Sequence, residues 1–116
     1  MKKRVTNWGR YPKIDAEVFS FDYVDELRSK INRTQSLITR GNGRCYGDAS
    51  LATNVASSLR FNKILQFDIE QGIFYCQSGV LTSDILKITI PEGWFLLVTP
   101  GTKYITVGGA VASGIT

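Results

Sequence analysis

The stretch Arg40-Gly41-Asn42-Gly43-Arg44-Cys45-Tyr46-Gly47-Asp48 puts three glycines and two arginines within nine residues. Glycine admits positive φ, and successive N–H groups on such a backbone converge into a concavity that takes an anion. Arg40 and Arg44 carry guanidinium groups, whose planar fork matches phosphate oxygens. Spacing excludes two familiar phosphate loops. A dinucleotide fingerprint needs glycine at its first, third and sixth positions, but the sixth here is Tyr46. A P-loop ends in Gly-Lys-Ser/Thr, whereas Asp48 and Ala49 follow Gly47. Two readings stand on residue chemistry alone: an anion loop of another type, or a surface turn joining two elements.

The apolar run Leu37-Ile38-Thr39 leads into these glycines, which reads as strand then loop. Upstream, Val24, Leu27 and Ile31 recur at helical spacing, so a helix is expected over 22–32, with Asp22 as its N-cap. Arg28, Lys30 and Arg33 lie toward its C-terminal end, where cations suit the helix dipole. Residues 1–19 read as an irregular, extended lead-in. Downstream, residues 55–61 read as a strand. Residues 64–67 and 73–77 flank Asp68-Ile69-Glu70-Gln71-Gly72 as an antiparallel hairpin. Thr82 or Ser83 is expected to cap a short helix carrying Ile85, Leu86 and Ile88, stopped by Pro91 and Gly93. Residues 95–98 read as a buried strand. This order makes an α+β chain.

A second candidate site lies near the end. Thr99-Pro100-Gly101-Thr102 is a tight turn, and Val107-Gly108-Gly109-Ala110-Val111-Ala112-Ser113-Gly114 is small and uncharged. Such a run lets backbone approach a large flat ligand, and it equally suits a glycine-rich hinge or close helix packing. Its composition is that of a buried segment, so the chain is expected to be one piece of a larger protein.

Composition narrows the function classes. The 116 residues are 43% apolar and 21% charged, as expected for a globular fold. Net charge is +4, but the cations are scattered, so phosphate-bearing ligands fit better than a duplex and no nucleic-acid partner is expected. There is no histidine, which removes the commonest general base and metal ligand, and no metal site is expected. Cys45 and Cys76 lack CxxC spacing and are expected to stay reduced. No run of about 18 apolar residues exists to span a membrane. No apolar core follows Met1-Lys2-Lys3-Arg4, so a cytoplasmic location is expected.

Three segments together resemble the FAD-binding domain of the vanillyl-alcohol oxidase / p-cresol methylhydroxylase superfamily. They are ITRGNGRCYGDASL at 38–51, ILQFDIEQGIFYCQSGVL at 64–81 and LLVTPGTKYITVGGAVASGIT at 96–116. The resemblance is strongest to its decaprenylphosphoryl-ribose oxidase and sugar-lactone oxidase branch. It implies two α+β subdomains with FAD held between them. The first, a small α/β unit with an N-terminal extension, would occupy residues 1–62; residues 63–116 would begin a second, mainly antiparallel one that is cut short, so the FAD-binding domain is expected to be incomplete. By the same resemblance Arg40, Gly41, Asn42, Gly43, Arg44, Cys45 and Tyr46 would hold the diphosphate. Thr99, Gly101, Thr102, Gly108, Gly109, Ala112, Ser113 and Gly114 would lie along the rest of the cofactor.

Relatives that attach flavin covalently in this loop use a histidine, and Arg44 stands at the corresponding position. Noncovalent FAD is therefore expected. The implied activity is oxidation of a hydroxyl-bearing carbon in a sugar, lactone or polyol derivative, by hydride transfer to FAD. The family continues into a substrate domain, so catalytic residues and a sugar-like substrate site are expected beyond residue 116. The competing reading is a noncatalytic nucleotide- or polyanion-binding module.

Overall fold

The computed structural model describes residues 2–7, 9–10, 12–34, 36–44, 52, 54–96 and 102–113. Among them, helices and two separate sheets confirm the α+β class.

The first sheet has four strands. β1 (Lys2–Val5) pairs antiparallel with β2 (Ile14–Ser20), which runs parallel to β4 (Asn54–Ser57), which in turn runs parallel to β3 (Ile38–Arg40). The spatial order is β1-β2-β4-β3. Helix α1 (Val24–Arg33) carries the chain from β2 to β3, leaving a gap that β4 fills. Flanked on both sides, β4 buries two successive residues, Val55 and Ala56, which face opposite sides of the sheet.

Two strands thus replace the expected irregular lead-in. Ile14, Ala16 and Val18 alternate with Asp15 and Glu17, a period-2 signal in which only Ala16 is fully buried. β1 is an edge strand of three cations whose charge is answered across the ladder: Lys2 lies opposite Glu17, and Arg4 Nε donates to Asp15 Oδ1 at 3.0 Å. Charge on an edge discourages pairing with other chains.

α1 starts later than expected. Its N-cap is Tyr23, and the Glu26 carboxylate accepts from the backbone N–H groups of Asp22 and Tyr23. Asp22 instead receives two N–H groups from Arg60, at 2.8 and 3.1 Å. This pair ties the exits of β2 and β4, beside a Phe21–Phe61 ring contact of 5.4 Å. β4 itself stops at Ser57 rather than continuing to Phe61, because the chain turns at Leu59 and Arg60.

The second sheet is the expected hairpin, β5 (Ile64–Asp68) and β6 (Ile73–Cys76). Its turn is closed by Gly72 N–H donating to Asp68 O at 2.8 Å, and by the Asp68 carboxylate accepting from Gln71 N–H. Trp94 fixes the tip, since its Nε1–H donates to Ile69 O at 2.6 Å. Trp94→Phe keeps a ring there but removes that donor. A loss of about 1 kcal/mol is expected in urea denaturation, and an unchanged midpoint would show that the bond contributes nothing.

Helix α2 (Thr82–Thr89) is also present, but neither Thr82 nor Ser83 caps it. Both are buried inside its first turn, and the N-cap is Leu81. Their backbone N–H groups donate to Ile105 O and Lys103 O, at 2.9 and 2.8 Å. A 3-10 turn (Ile90–Glu92) then ends at Gly93, in the left-handed conformation at φ 82°. Residues 94–96 form no strand, and Phe95 is 63% exposed, so the described part of the expected buried strand is an irregular, open segment. The small-residue run forms a further helix, α3 (Val107–Ala112). Among the described residues, no helix is long and apolar enough to cross a membrane.

Candidate functional site

The glycine loop leaves the carboxyl end of β3, beside the carboxyl end of β4, where Ser58 N–H donates to Arg40 O at 2.9 Å. This is the edge of a parallel sheet where ligands are commonly held, since the connections there are free to diverge. Gly41, Asn42 and Gly43 are half-buried and Arg44 is exposed. Cys45, Tyr46, Thr99, Gly101 and Gly114 lie outside the described residues.

A second wall meets this loop. α2 draws residues 103–105 against its N-terminus, with Thr82 Oγ1 also donating to Lys103 O at 2.6 Å. Leu81 pairs with Thr106 in an antiparallel bridge. Asn42 Nδ2 donates to Tyr104 O at 2.9 Å, and Gly41 packs directly on the Thr106 side chain. Two segments about 60 residues apart in sequence are thereby clasped into one site.

The donor inventory distinguishes the two walls. In α3, the first-turn amides are all taken: Val107 by Val80 O, Gly108 by Ser78 O, Gly109 by Thr106 Oγ1 and Ala110 by Thr106 O. In the loop, no acceptor among the described residues takes the amide N–H of Gly41, Asn42, Gly43 or Arg44. Backbone donors in half-buried positions are rarely left without a partner. Consecutive amides with no acceptor among the described residues, on a glycine backbone, suit a phosphate-type anion, whereas the α3 N-terminus has no donor left to give.

The remaining sequence candidates take distinct places. Arg40 turns its guanidinium back toward the N-terminal segment, with Nη1 donating to Asn7 Oδ1 and Nη2 to Thr6 O. Thr102 Oγ1 accepts from Tyr104 N–H at 3.2 Å. Gly108 lies against Ser78, and Gly109 contributes its N–H to the helix cap. Ala112 and Ser113 sit exposed at the far end of α3. Cys76 is a free, half-buried thiol whose pKa burial pushes up, so it is not an activated nucleophile.

Sequence reasoning missed three contributors. Gly79 is buried where the turn after β6 meets the segment leaving β4, donating its N–H to Phe61 O at 2.8 Å. The Ser78-Gly79 dipeptide is a turn signal that could have marked it. Thr106, 2% exposed, caps α3, and a threonine ahead of the small-residue run is a signal for a helix start. Asn7 carried no local signal.

A family model described as an FAD binding domain matches residues 22–116. The decaprenylphosphoryl-beta-D-ribose oxidase of Mycolicibacterium smegmatis is 30% identical over 120 residues, covering 97% of this chain and 26% of that protein. A D-lactate dehydrogenase of Anaerostipes hadrus is 32% identical over 106 residues, covering 88% and 22%. The chain therefore spans about a quarter of the length of these curated relatives.

Proposed function

The chain belongs to the FAD binding domain family, and from that premise we propose that it is the cofactor-holding part of an FAD-dependent oxidoreductase. The carrying observation is the run of amides at Gly41–Arg44 with no acceptor among the described residues, clasped against Tyr104 and Thr106. In this reading those amides hold the diphosphate, joined by Cys45 and Tyr46, and the exposed Arg44 adds positive charge. Thr99, Gly101, Thr102 and the outer face of α3, through Gly108, Gly109, Ala112, Ser113 and Gly114, border the rest of the cofactor. With the α3 amides already engaged, that border acts by close approach of small residues rather than by donated hydrogen bonds.

Bound FAD supplies hydride-accepting chemistry, and the protein supplies orientation and electrostatics. The two relatives are named for a ribose derivative and for D-lactate, both of which bear a hydroxyl on carbon. That shared feature supports oxidation of a hydroxyl-bearing carbon in a sugar, lactone or polyol derivative, with a hydroxy acid as the second reading. A division into residues 1–62 and 63–116 is supported by the two separate sheets. The catalytic residues and the substrate-binding part belong to the remainder of the polypeptide. A free Cys76 suits a reducing, cytoplasmic location.

The test is spectroscopic. The full-length protein is expected to show flavin absorbance that bleaches anaerobically with a sugar substrate or D-lactate. Salt-sensitive binding to nucleic acid with no flavin would instead establish the polyanion-binding module. With no histidine in the chain and Arg44 at the attachment position, acid precipitation is expected to leave all the yellow colour in the supernatant. A yellow pellet would overturn noncovalent attachment.

A further inference from the structure

The loop is shaped by a segment outside the family match. That match covers residues 22–116, yet two groups that hold the Arg40 guanidinium belong to Thr6 and Asn7. Asn7 is 4% exposed, just beyond β1. Its Oδ1 accepts from Arg40 Nη1 at 2.5 Å, while Thr6 O accepts from Nη2 at 2.6 Å. The two acceptors are themselves braced. Arg10 N–H donates to Asn7 O at 2.9 Å, and Thr6 Oγ1 donates to Pro12 O at 3.2 Å. Held in this way, the guanidinium fills the space that a side chain on Gly43 would occupy, and Gly43 adopts φ 66° above it.

We propose that Asn7 is a positioning residue for the flavin diphosphate, acting through Arg40 to fix the direction of the Gly41–Arg44 amides. The proposal rests on the reading of that loop as the diphosphate cradle. A glycine-rich loop has many conformers to lose on binding, so a buried brace that selects one of them raises affinity without touching the ligand. Charge reinforces the geometry. A guanidinium held beneath the loop raises the local potential for an anion, while its hydrogen bonds to Asn7 and Thr6 keep it from swinging out as a flexible tether.

The experiment is an FAD titration of the full-length apoprotein in five forms: wild type, Asn7→Leu, Arg40→Met, the double variant and Asn7→Asp. Asn7→Leu and Arg40→Met are each expected to raise the Kd by about tenfold, through lost preorganisation. The double variant should be no weaker than the worse single one, because the two residues act as one unit. Asn7→Asp keeps an acceptor oxygen and should bind FAD within a few-fold of wild type. Riboflavin, which lacks the diphosphate, serves as a competitor whose affinity should stay constant across the series. A general folding defect would weaken riboflavin and FAD alike, and that result overturns the proposal. So does an unchanged Kd in Asn7→Leu, or additive effects in the double variant, which would assign Arg40 a direct contact independent of Asn7. Absence of FAD binding by the wild type would overturn the cradle reading itself, and the role of Asn7 with it.

Discussion

Gly79→Ala is expected to lower stability by about 3 kcal/mol or more, the upper range for forcing extra volume into a packed site. A Cβ on residue 79 would be driven into the Ser58 carbonyl oxygen and would sit 2.5 Å from that of Phe61. Both obstacles are backbone atoms, and neither is free to move. The Ser58 carbonyl closes the turn by accepting from Phe61 N–H, and the Phe61 carbonyl accepts from Gly79 N–H. Relief would require separating the segment that leaves β4 from the turn that receives α3, where Ser78 O and Val80 O each hold an α3 amide. Urea denaturation of the full-length protein reads the effect as a fall in midpoint at constant slope. A midpoint within error of wild type would show that this junction opens at little cost. Because the atoms a residue-79 Cβ would meet are the Ser58 and Phe61 carbonyls rather than the loop at 41–44, any loss of FAD affinity should follow the loss of folded protein.

What was legible in the sequence were the features with local causes. The hairpin announced itself because Asp68 and Gly72 close their own turn, and α2 because its apolar spacing and the Pro91-Gly93 stop lie within a dozen residues. The glycine loop was legible as an anion candidate, and the family resemblance borne out by the match over 22–116 gave that candidate its cofactor. The features that escaped have causes elsewhere in the chain. β2 carries an alternating pattern, but one whose buried centre is Ala16, which is too small to signal a core strand until β4 lies against it. The small-residue run contains two adjacent glycines, poor helix formers, and becomes α3 because Thr106 caps it and Ser78 and Val80 accept its first amides. Thr82 and Ser83 looked like caps by type, yet segment 103–105 already satisfies the donors around them. Arg40 is the sharpest case. Its neighbours in sequence suggested a phosphate ligand, while two of its hydrogen-bond partners, Asn7 and Thr6, lie 33 and 34 residues away.

Gly41→Ala is expected to weaken FAD binding by at least about tenfold, equivalent to about 1.4 kcal/mol, with a smaller effect on the stability of the apoprotein. A Cβ at residue 41 would drive into Thr106 Oγ1 and lie 3.1 Å from Thr106 Cγ2. Thr106 is 2% exposed and its hydroxyl oxygen accepts from Gly109 N–H at 3.0 Å, so its side chain cannot rotate aside without breaking the α3 cap, a loss of about 1 kcal/mol. Moving the loop is the easier relief, since Asn42 is exposed enough to exchange its bond to Tyr104 O for water. The strain therefore falls on the cradle rather than on the core, and affinity should suffer more than folding. Replacing Thr106 by alanine in the same protein removes both offending atoms and leaves only its Cβ, at 3.3 Å. Gly41→Ala/Thr106→Ala should recover much of the FAD affinity while keeping the stability deficit of an uncapped α3. Equal affinities for the single and double variants would mean that the contact with Thr106 is not what limits the loop, and that residue 41 must be glycine because of the ligand's own approach.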